Sequence, residues 1–151
     1  MQLSLHADYA LRVLIHLGTH PGRTVSTQEI SKSYGISKNH LVRVVHTLAR
    51  HGYVDAHSGR HGGITLARES GLIRLGDLIR DAEPNLRLAE CFDKSTNTCP
   101  IARVCALRGM LDEALDAFLT SLNRYTLADV LRASGPRKLS GIFANFTART
   151  G

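Results

Sequence analysis

The sequence contains no tryptophan, and aromatic residues make up only 5% of its 151 residues. Its core must therefore consist mostly of leucine, isoleucine, valine and alanine, which suits packed helices. It has no run of 18 apolar residues, so no segment is expected to span a membrane. The amino terminus lacks the basic leader of a secretory signal, and Asp8 and Arg12 interrupt its apolar stretch. We therefore expect a cytoplasmic protein.

Cysteine is scarce, and the three copies at Cys91, Cys99 and Cys105 cannot all pair within one chain. Cytoplasmic thiols stay reduced, so we expect a metal or redox role rather than a disulfide. The sequence also lacks Cys-x-x-Cys, the phosphate-binding motif Gly-x-x-x-x-Gly-Lys and the zinc motif His-Glu-x-x-His. These absences argue against an enzyme.

Acidic residues are few at both ends of the chain, where basic residues outnumber them. Residues 1–70 hold 8 Lys and Arg against 4 Asp and Glu, and residues 136–151 hold 3 against none. The middle segment, 71–135, has 8 against 9, and the formal net charge is +6. A basic front half suits a polyanion such as DNA, although a surface that only aids solubility would have the same composition.

Helical periodicity begins over residues 7–17, and two further short helices follow. Ser26 and Glu29 have the spacing of a capping box, which predicts a helix that ends at Gly35. Ser37 is expected to cap a third helix over 38–51. Two short strands, 53–57 and 64–67, then flank a glycine-rich turn and predict a hairpin, and a fourth helix stops before Pro84.

This order is that of a helix-turn-helix followed by a wing, so residues 1–83 are expected to form a DNA-binding domain. Residues 84–133 are expected to hold a cysteine-rich loop and a long dimerisation helix from about 102 to 125, roughly 35 Å long. The small front domain could not cover such a helix, so we expect a homodimer, with packing on its own chain as the alternative. Thr126 is expected to cap a last short helix. Residues 134–151 are expected to form a flexible basic tail, and the fold class is mainly α.

The start of the third helix has side chains suited to base edges and phosphates. These candidates are Ser37, Lys38, Asn39, His40 and Arg43. Arg60 and His61 at the wing tip are expected to contact DNA, because an arginine there can enter a narrow A·T-rich minor groove. Ser26, Thr27 and Gln28 are expected to touch phosphate, although simple capping of a helix explains them equally well.

Cys91, Cys99 and Cys105 lie in a loop rich in Ser, Thr and Asn, with seven and five residues between successive cysteines. Thiolates are soft ligands that suit iron–sulfur clusters and zinc, and this spacing does not separate the two. Free buried thiols are the alternative, but they fit poorly in a polar loop.

These features together resemble the iron–sulfur winged-helix repressors of the IscR/NsrR-like family, and most closely its nitric-oxide-sensing members. The resemblance covers roughly residues 1–132 and is carried by Asp8-Tyr9-Ala10-Leu11-Arg12, the wing over 59–67, and the cysteines that follow Glu90. It implies a homodimer with crossed long helices, one cluster per subunit and an A·T-rich, roughly palindromic operator in double-stranded DNA. It also implies that nitric oxide nitrosylates the cluster and releases the DNA.

Three thiolates leave one position on a cluster open. Some family members have a histidine three residues after the third cysteine, where this sequence has Arg108. We expect Asp8 of the partner subunit to be the fourth ligand, with His6 as the second candidate; the alternative role for Asp8 is an ion pair with Arg12. We expect a 4Fe–4S cluster, with 2Fe–2S as the alternative. A regulator of the same fold that senses iron–sulfur status or redox stress, and a zinc-holding regulator, also remain open.

Overall fold

The computed structural model describes residues 2–149 except 58, 60 and 61, with side chains described as far as residue 146. Within these residues the chain is mainly helical, as predicted. The α-helices are α1 (Leu5–Gly18), α2 (Thr27–Tyr34), α3 (Lys38–Arg50), α4 (Leu75–Ala82), α5 (Leu107–Leu122), α6 (Leu127–Ser134) and α7 (Pro136–Arg149). The strands β1 (Val54–His57) and β2 (Gly63–Leu66) form one antiparallel hairpin between α3 and α4. None of the helices described is long and apolar enough to cross a membrane.

The helix-turn-helix consists of α2 and α3, joined by a three-residue turn. Gly35 ends α2 in the left-handed conformation, with φ of 65°, which a residue without Cβ adopts at little cost. The Ser26 hydroxyl accepts a hydrogen bond from the Glu29 amide, but the Glu29 carboxylate goes to Arg23. The predicted capping box is therefore only half formed.

The wing is fixed to the helix-turn-helix by backbone hydrogen bonds. Val25, which lies just before α2, pairs with Ile64 of β2 through N–O distances of 3.0 and 2.8 Å. A Cβ at Gly63 would lie 2.8 Å from the Val25 carbonyl oxygen, so this close approach requires glycine. The hairpin and the start of α2 are therefore one structural unit.

A close crossing of α4 and α5 positions the second half of the chain. A Cβ at Gly76 would lie only 2.2 Å from the Leu119 carbonyl oxygen. The Asn123 side chain accepts a hydrogen bond from the Asp77 amide and donates one to the Asp77 carboxylate. The carboxyl-terminal half of α5 thus packs on its own chain, which was the alternative to dimer packing.

The long helix is shorter than predicted, because it begins at Leu107 and not near residue 102. Residues 99–105 form tight turns instead, in which the Ala102 amide donates to the Cys99 carbonyl and the Cys105 amide to the Ile101 carbonyl. With 16 residues, α5 is about 24 Å long. Its first turns expose Leu107 and Met110.

Two helices complete the fold, and the second contradicts the sequence prediction. Thr126 caps α6, as predicted, and it does so through a complete capping box, which was not predicted. Leu127 and Leu131 of α6 join the core formed by α1–α3. The expected flexible tail is instead the helix α7 as far as Arg149. Phe143 is buried there, with its ring centroid 5.1 Å from that of Tyr34 on α2. Burial of Phe143, with Leu139 packed against the core, stabilises this helix although its sequence has little periodicity.

Candidate DNA-binding surface and cluster loop

The start of α3 presents the predicted polar side chains to solvent. The Ser37 hydroxyl caps the helix at the His40 amide. The exposed residues of this surface are Ser37, Lys38, Asn39, His40 and Arg43. The opposite side of α3 is buried, through Leu41, Val44, Val45 and Leu48. A fixed inner face and a polar outer face are what a helix that enters a major groove requires.

The amino-terminal end of α2 adjoins the wing. Ser26 and Gln28 are exposed and Thr27 is half-buried. A cleft lined in part by Ser26, Thr27 and Gly62 separates this end of α2 from the hairpin. Because the helix amino terminus carries partial positive charge, the cleft can accept a phosphate while Ser26 also caps the helix. Contact with phosphate and capping of the helix are therefore compatible roles for these residues.

Arg60 and His61 lie outside the described residues, so their contact with DNA stays a prediction. The glycines beside them are described. The Gly62 amide donates to the Gly59 carbonyl at 3.0 Å, and Gly59 has a φ of 111°, in the region that favours glycine. The two described glycines of the wing are therefore joined directly by a hydrogen bond.

A groove between α1 and α3 places side chains of α1 next to the start of α3, a proximity that the sequence analysis did not predict. Its lining includes His6, Tyr9, His40 and Arg43. The Tyr9 and His40 ring centroids are 6.1 Å apart, and His6 Nε2 lies 3.1 Å from the Thr47 hydroxyl. The helix that carries Asp8 thus touches the candidate recognition helix directly. Only the spatial pairing shows this, because the two segments are about thirty residues apart.

Asp8 forms the ion pair that was the alternative to metal binding. Its carboxylate lies 2.7 Å from the Arg12 guanidinium, one helical turn later. The Asp8 side chain remains 36% exposed, so a group on another subunit can reach its carboxylate. Its role as a ligand to a cluster of the partner subunit stays a prediction.

The three cysteines are half-buried free thiols on a loop closed by two carboxylates. Glu90 accepts hydrogen bonds from the Thr98 amide and hydroxyl at 2.6 and 2.7 Å. Since Cys91 follows Glu90 and Cys99 follows Thr98, this contact brings the first two cysteines to the same end of the loop. Within the loop, Asp93 accepts from the amide and hydroxyl of Ser95.

Both carboxylates are ionised at neutral pH. Hydrogen bonds from the side chain and amide of Thr98 lower the pKa of Glu90. Hydrogen bonds from Ser95 lower the pKa of Asp93 to about 2, and the nearby Arg87 guanidinium acts in the same direction. The loop is therefore held by charge-assisted hydrogen bonds that persist well below neutral pH.

The three thiols of the loop are donors that suit an iron–sulfur cluster or zinc. The Sγ atoms of Cys91, Cys99 and Cys105, all described, do not lie within 4.8 Å of one another. This spacing leaves both centres open, since the thiolates can move onto one zinc ion, at Zn–S distances of about 2.3 Å, or onto separate irons of a cluster. Arg108, where some relatives have histidine, stacks on Phe92 with its guanidinium carbon 5.9 Å from the ring centroid. A guanidinium has no lone pair to offer a metal.

Comparison with known proteins finds relatives that match most of this chain, including the helix-turn-helix and the cysteine loop. The family model Rrf2, described as iron-dependent transcriptional regulator, matches residues 3–133. The regulator NsrR of Shouchella clausii (strain KSM-K16) is 42% identical over 132 residues, which cover 87% of this chain and 89% of that protein. NsrR of Bacillus subtilis (strain 168) is also 42% identical, over 133 residues that cover 87% and 91% of the two chains. Among solved structures, IscR from T. potens has a TM-score of 0.69 at 25% identity and covers 89% of this chain and 88% of that one.

Proposed function

This chain belongs to the Rrf2 family of transcriptional regulators, and from that premise we propose that it is a homodimeric repressor controlled by an iron–sulfur cluster. Cys91, Cys99 and Cys105 would hold one cluster per subunit, of the 4Fe–4S type. Nitric oxide would react with the cluster and release an A·T-rich, roughly palindromic operator. We propose no enzymatic role and a cytoplasmic location.

One observation carries the proposal: three free thiols lie close together along the chain, two of them next to the Glu90–Thr98 contact, in a chain 42% identical to proteins named NsrR. That name supports a cluster and nitric oxide as the signal for this chain. Zinc held by the same thiols stays the alternative.

We propose that the DNA surface comprises the exposed start of α3, the amino-terminal end of α2 and the wing tip. Its residues would be Ser26, Thr27, Gln28, Ser37, Lys38, Asn39, His40, Arg43, Arg60 and His61. Two copies of α3 must lie about 34–36 Å apart to read successive major-groove faces, so dimer geometry decides affinity.

The dimer would form on an exposed apolar patch beside the cysteine loop. Ile101, Val104, Leu107 and Met110 are 57%, 86%, 56% and 63% exposed. Contiguous apolar surface of this kind is typical of protein interfaces. It joins the loop to the free first turns of α5, so a partner that covers it would also contact the cluster segment.

When bound, the cluster supplies the iron atoms that react with nitric oxide. The protein would link those atoms to DNA through Asp8 of the partner subunit as the fourth ligand, since Tyr9 next to Asp8 contacts His40 on α3. Freeing Asp8 would let it return to Arg12 and would shift α1 against α3. A loss of about 2–3 kcal/mol in DNA binding corresponds to roughly 30- to 150-fold in affinity, which relieves repression.

The test is anaerobic purification with iron and sulfide counts, followed by DNA binding before and after graded nitric oxide. We expect a coloured protein that releases DNA as nitric oxide is added, and each Cys→Ala variant to lack colour. A colourless, sulfide-free preparation that still holds its operator would overturn the proposal. Release by oxygen or iron depletion, with indifference to nitric oxide, would instead favour redox or iron–sulfur status as the signal.

A further inference from the structure

His16 is a buried polar side chain without a visible purpose in the fold. It lies on α1 and is 1% exposed. Neither of its ring nitrogens has a hydrogen-bond partner among the described residues. Buried polar groups in proteins are almost always hydrogen-bonded, so an imidazole with two unsatisfied nitrogens requires an explanation.

Two other metal-ligating side chains surround this imidazole. His20 lies in the turn just after α1, and Glu29 lies in the first turn of α2. One ligand atom from each of His16, His20 and Glu29 can be chosen such that all three lie within 4.8 Å of one another. The His16–Glu29 distance, from Nε2 to Oε1, is 3.6 Å. That is too long for a hydrogen bond but close to the separation of two ligands on one ion, given metal–ligand bonds of about 2.0–2.2 Å.

The surrounding hydrogen bonds leave the required lone pairs free. His20 Nδ1 lies 2.9 Å from the His16 carbonyl oxygen, which can only accept, so this nitrogen carries the proton and Nε2 is free. A ligating histidine usually donates its second nitrogen in this way, which fixes the ring. Arg23 pairs with Glu29 Oε2 at 2.5 Å and leaves Oε1 toward His16.

The protonation state also favours a ligand. Burial is the main cause that lowers the pKa of His16, and the neighbouring His20 lowers it further. Glu29 acts in the opposite direction. A ligating imidazole must be neutral, and burial works toward that form.

We propose that His16, His20 and Glu29 form a binding site for a divalent transition-metal ion, separate from the cysteine loop. Two imidazoles and one carboxylate suit zinc or iron(II), with solvent or a further ligand completing the coordination. The site would connect α1 to α2, the first helix of the helix-turn-helix. Phe143 of α7 covers it, with its ring centroid 4.7 Å from that of His16.

The test is titration of metal-free, full-length protein with Zn²⁺ by calorimetry, with Co²⁺ as a spectroscopic probe. The variants are His20→Gln and Glu29→Gln, both of partly exposed side chains, and the control is His57→Gln, an exposed histidine on β1. Thiol ligation by the cysteines is common to all four proteins and cancels in the comparison. Circular dichroism of the metal-free proteins checks that each variant is folded.

We expect wild type and His57→Gln to bind one more equivalent of Zn²⁺ than either site variant, or to bind it at least about tenfold more tightly. Co²⁺ at this site should give visible d–d bands that persist when the thiols are alkylated, and Zn²⁺ should raise the melting temperature of wild type more than that of His20→Gln. Equal stoichiometry and affinity in all four proteins, or a cobalt spectrum that disappears on alkylation, would overturn the proposal. Neither outcome depends on the cysteine cluster or on nitric oxide.

Discussion

The Glu90 carboxylate accepts two hydrogen bonds from Thr98, eight positions later in the chain, one from its amide and one from its hydroxyl. The two residues precede Cys91 and Cys99 in an otherwise irregular loop. Because this contact fixes the distance between the chain segments that carry two proposed ligands, it should decide how firmly a cluster is held.

Replacing Glu90 by Ala should therefore loosen the cluster without unfolding the protein. We expect faster loss of the visible absorbance when a chelator is added under anaerobic conditions. The matched control is Glu113→Ala, which changes an exposed glutamate on α5, outside the cysteine loop, and should behave as wild type. Identical decay in both variants would show that the Thr98 contact does not support the cluster.

Substitution of Lys38 or Arg43 by Ala should weaken operator binding, because both side chains are exposed on the outer face of α3. A lost base contact costs about 1–3 kcal/mol, and a lost phosphate contact lowers the salt slope by about one. Fluorescence anisotropy at several salt concentrations distinguishes the two. Arg124→Ala, an exposed arginine between α5 and α6, should leave binding unchanged.

A charge in the apolar patch should prevent dimerisation. Leu107→Lys places an ammonium group on a surface that we propose to be buried in the dimer, which is costly without a partner. Analytical ultracentrifugation should show a monomer, and operator affinity should fall with it. Leu72→Lys changes a leucine that is 67% exposed outside the patch and should remain dimeric. A dimeric Leu107→Lys protein would contradict this interface.

The crossing of α4 and α5 should not tolerate Gly76→Ala. The added methyl would collide with backbone at Leu119, so the helices must separate, at a typical cost of about 1–3 kcal/mol. Thermal unfolding should show a clear decrease in melting temperature. Gly141→Ala on α7, where a Cβ meets nothing within 4 Å, should be neutral or stabilising by up to about 1 kcal/mol.

Stability should fall in alkaline solution, and Tyr53→Phe should reduce that fall. Burial and the 2.7 Å hydrogen bond to Asp81 raise the pKa of Tyr53 above its ordinary value of 10.0. The folded state therefore keeps the phenolic proton when the unfolded chain loses it. This contribution is complete below pH 10 and is lost as pH rises toward the folded-state pKa. Urea unfolding at pH 7 to 11 should show a shallower decline for Tyr53→Phe, which starts about 1 kcal/mol less stable.

Much of the front half could be predicted from local signals. Ser37, Gly35 and the glycines of the wing each act through their immediate neighbours, so the sequence reveals where the helices and the hairpin end. The start of α5 could not be located, because Ile101 and Val104 continue an apolar helical pattern although Pro100 and the turns after Cys99 interrupt it. Helical periodicity alone does not report a tight turn.

Two features depend on contacts between distant segments and were missed for that reason. Helix α7 is held by contacts with distant parts of the fold, among them Phe143 against His16 and Tyr34 and Leu139 against the core. The grouping of His16 and His20 with Glu29 requires α1 and the turn that follows it to lie beside α2, which local sequence patterns do not report. Pairing across the fold, rather than propensity, determines both.

The cover that Phe143 forms over His16 has a practical consequence for anyone who shortens this chain. A version that stops at residue 135 would keep every DNA-reading side chain, yet it would admit water to the inner wall of the first helix. Without this cover, His16 would be protonated more readily in mild acid. We therefore expect truncated forms to differ from the intact regulator in their stability at mildly acidic pH, while their operator preference stays the same.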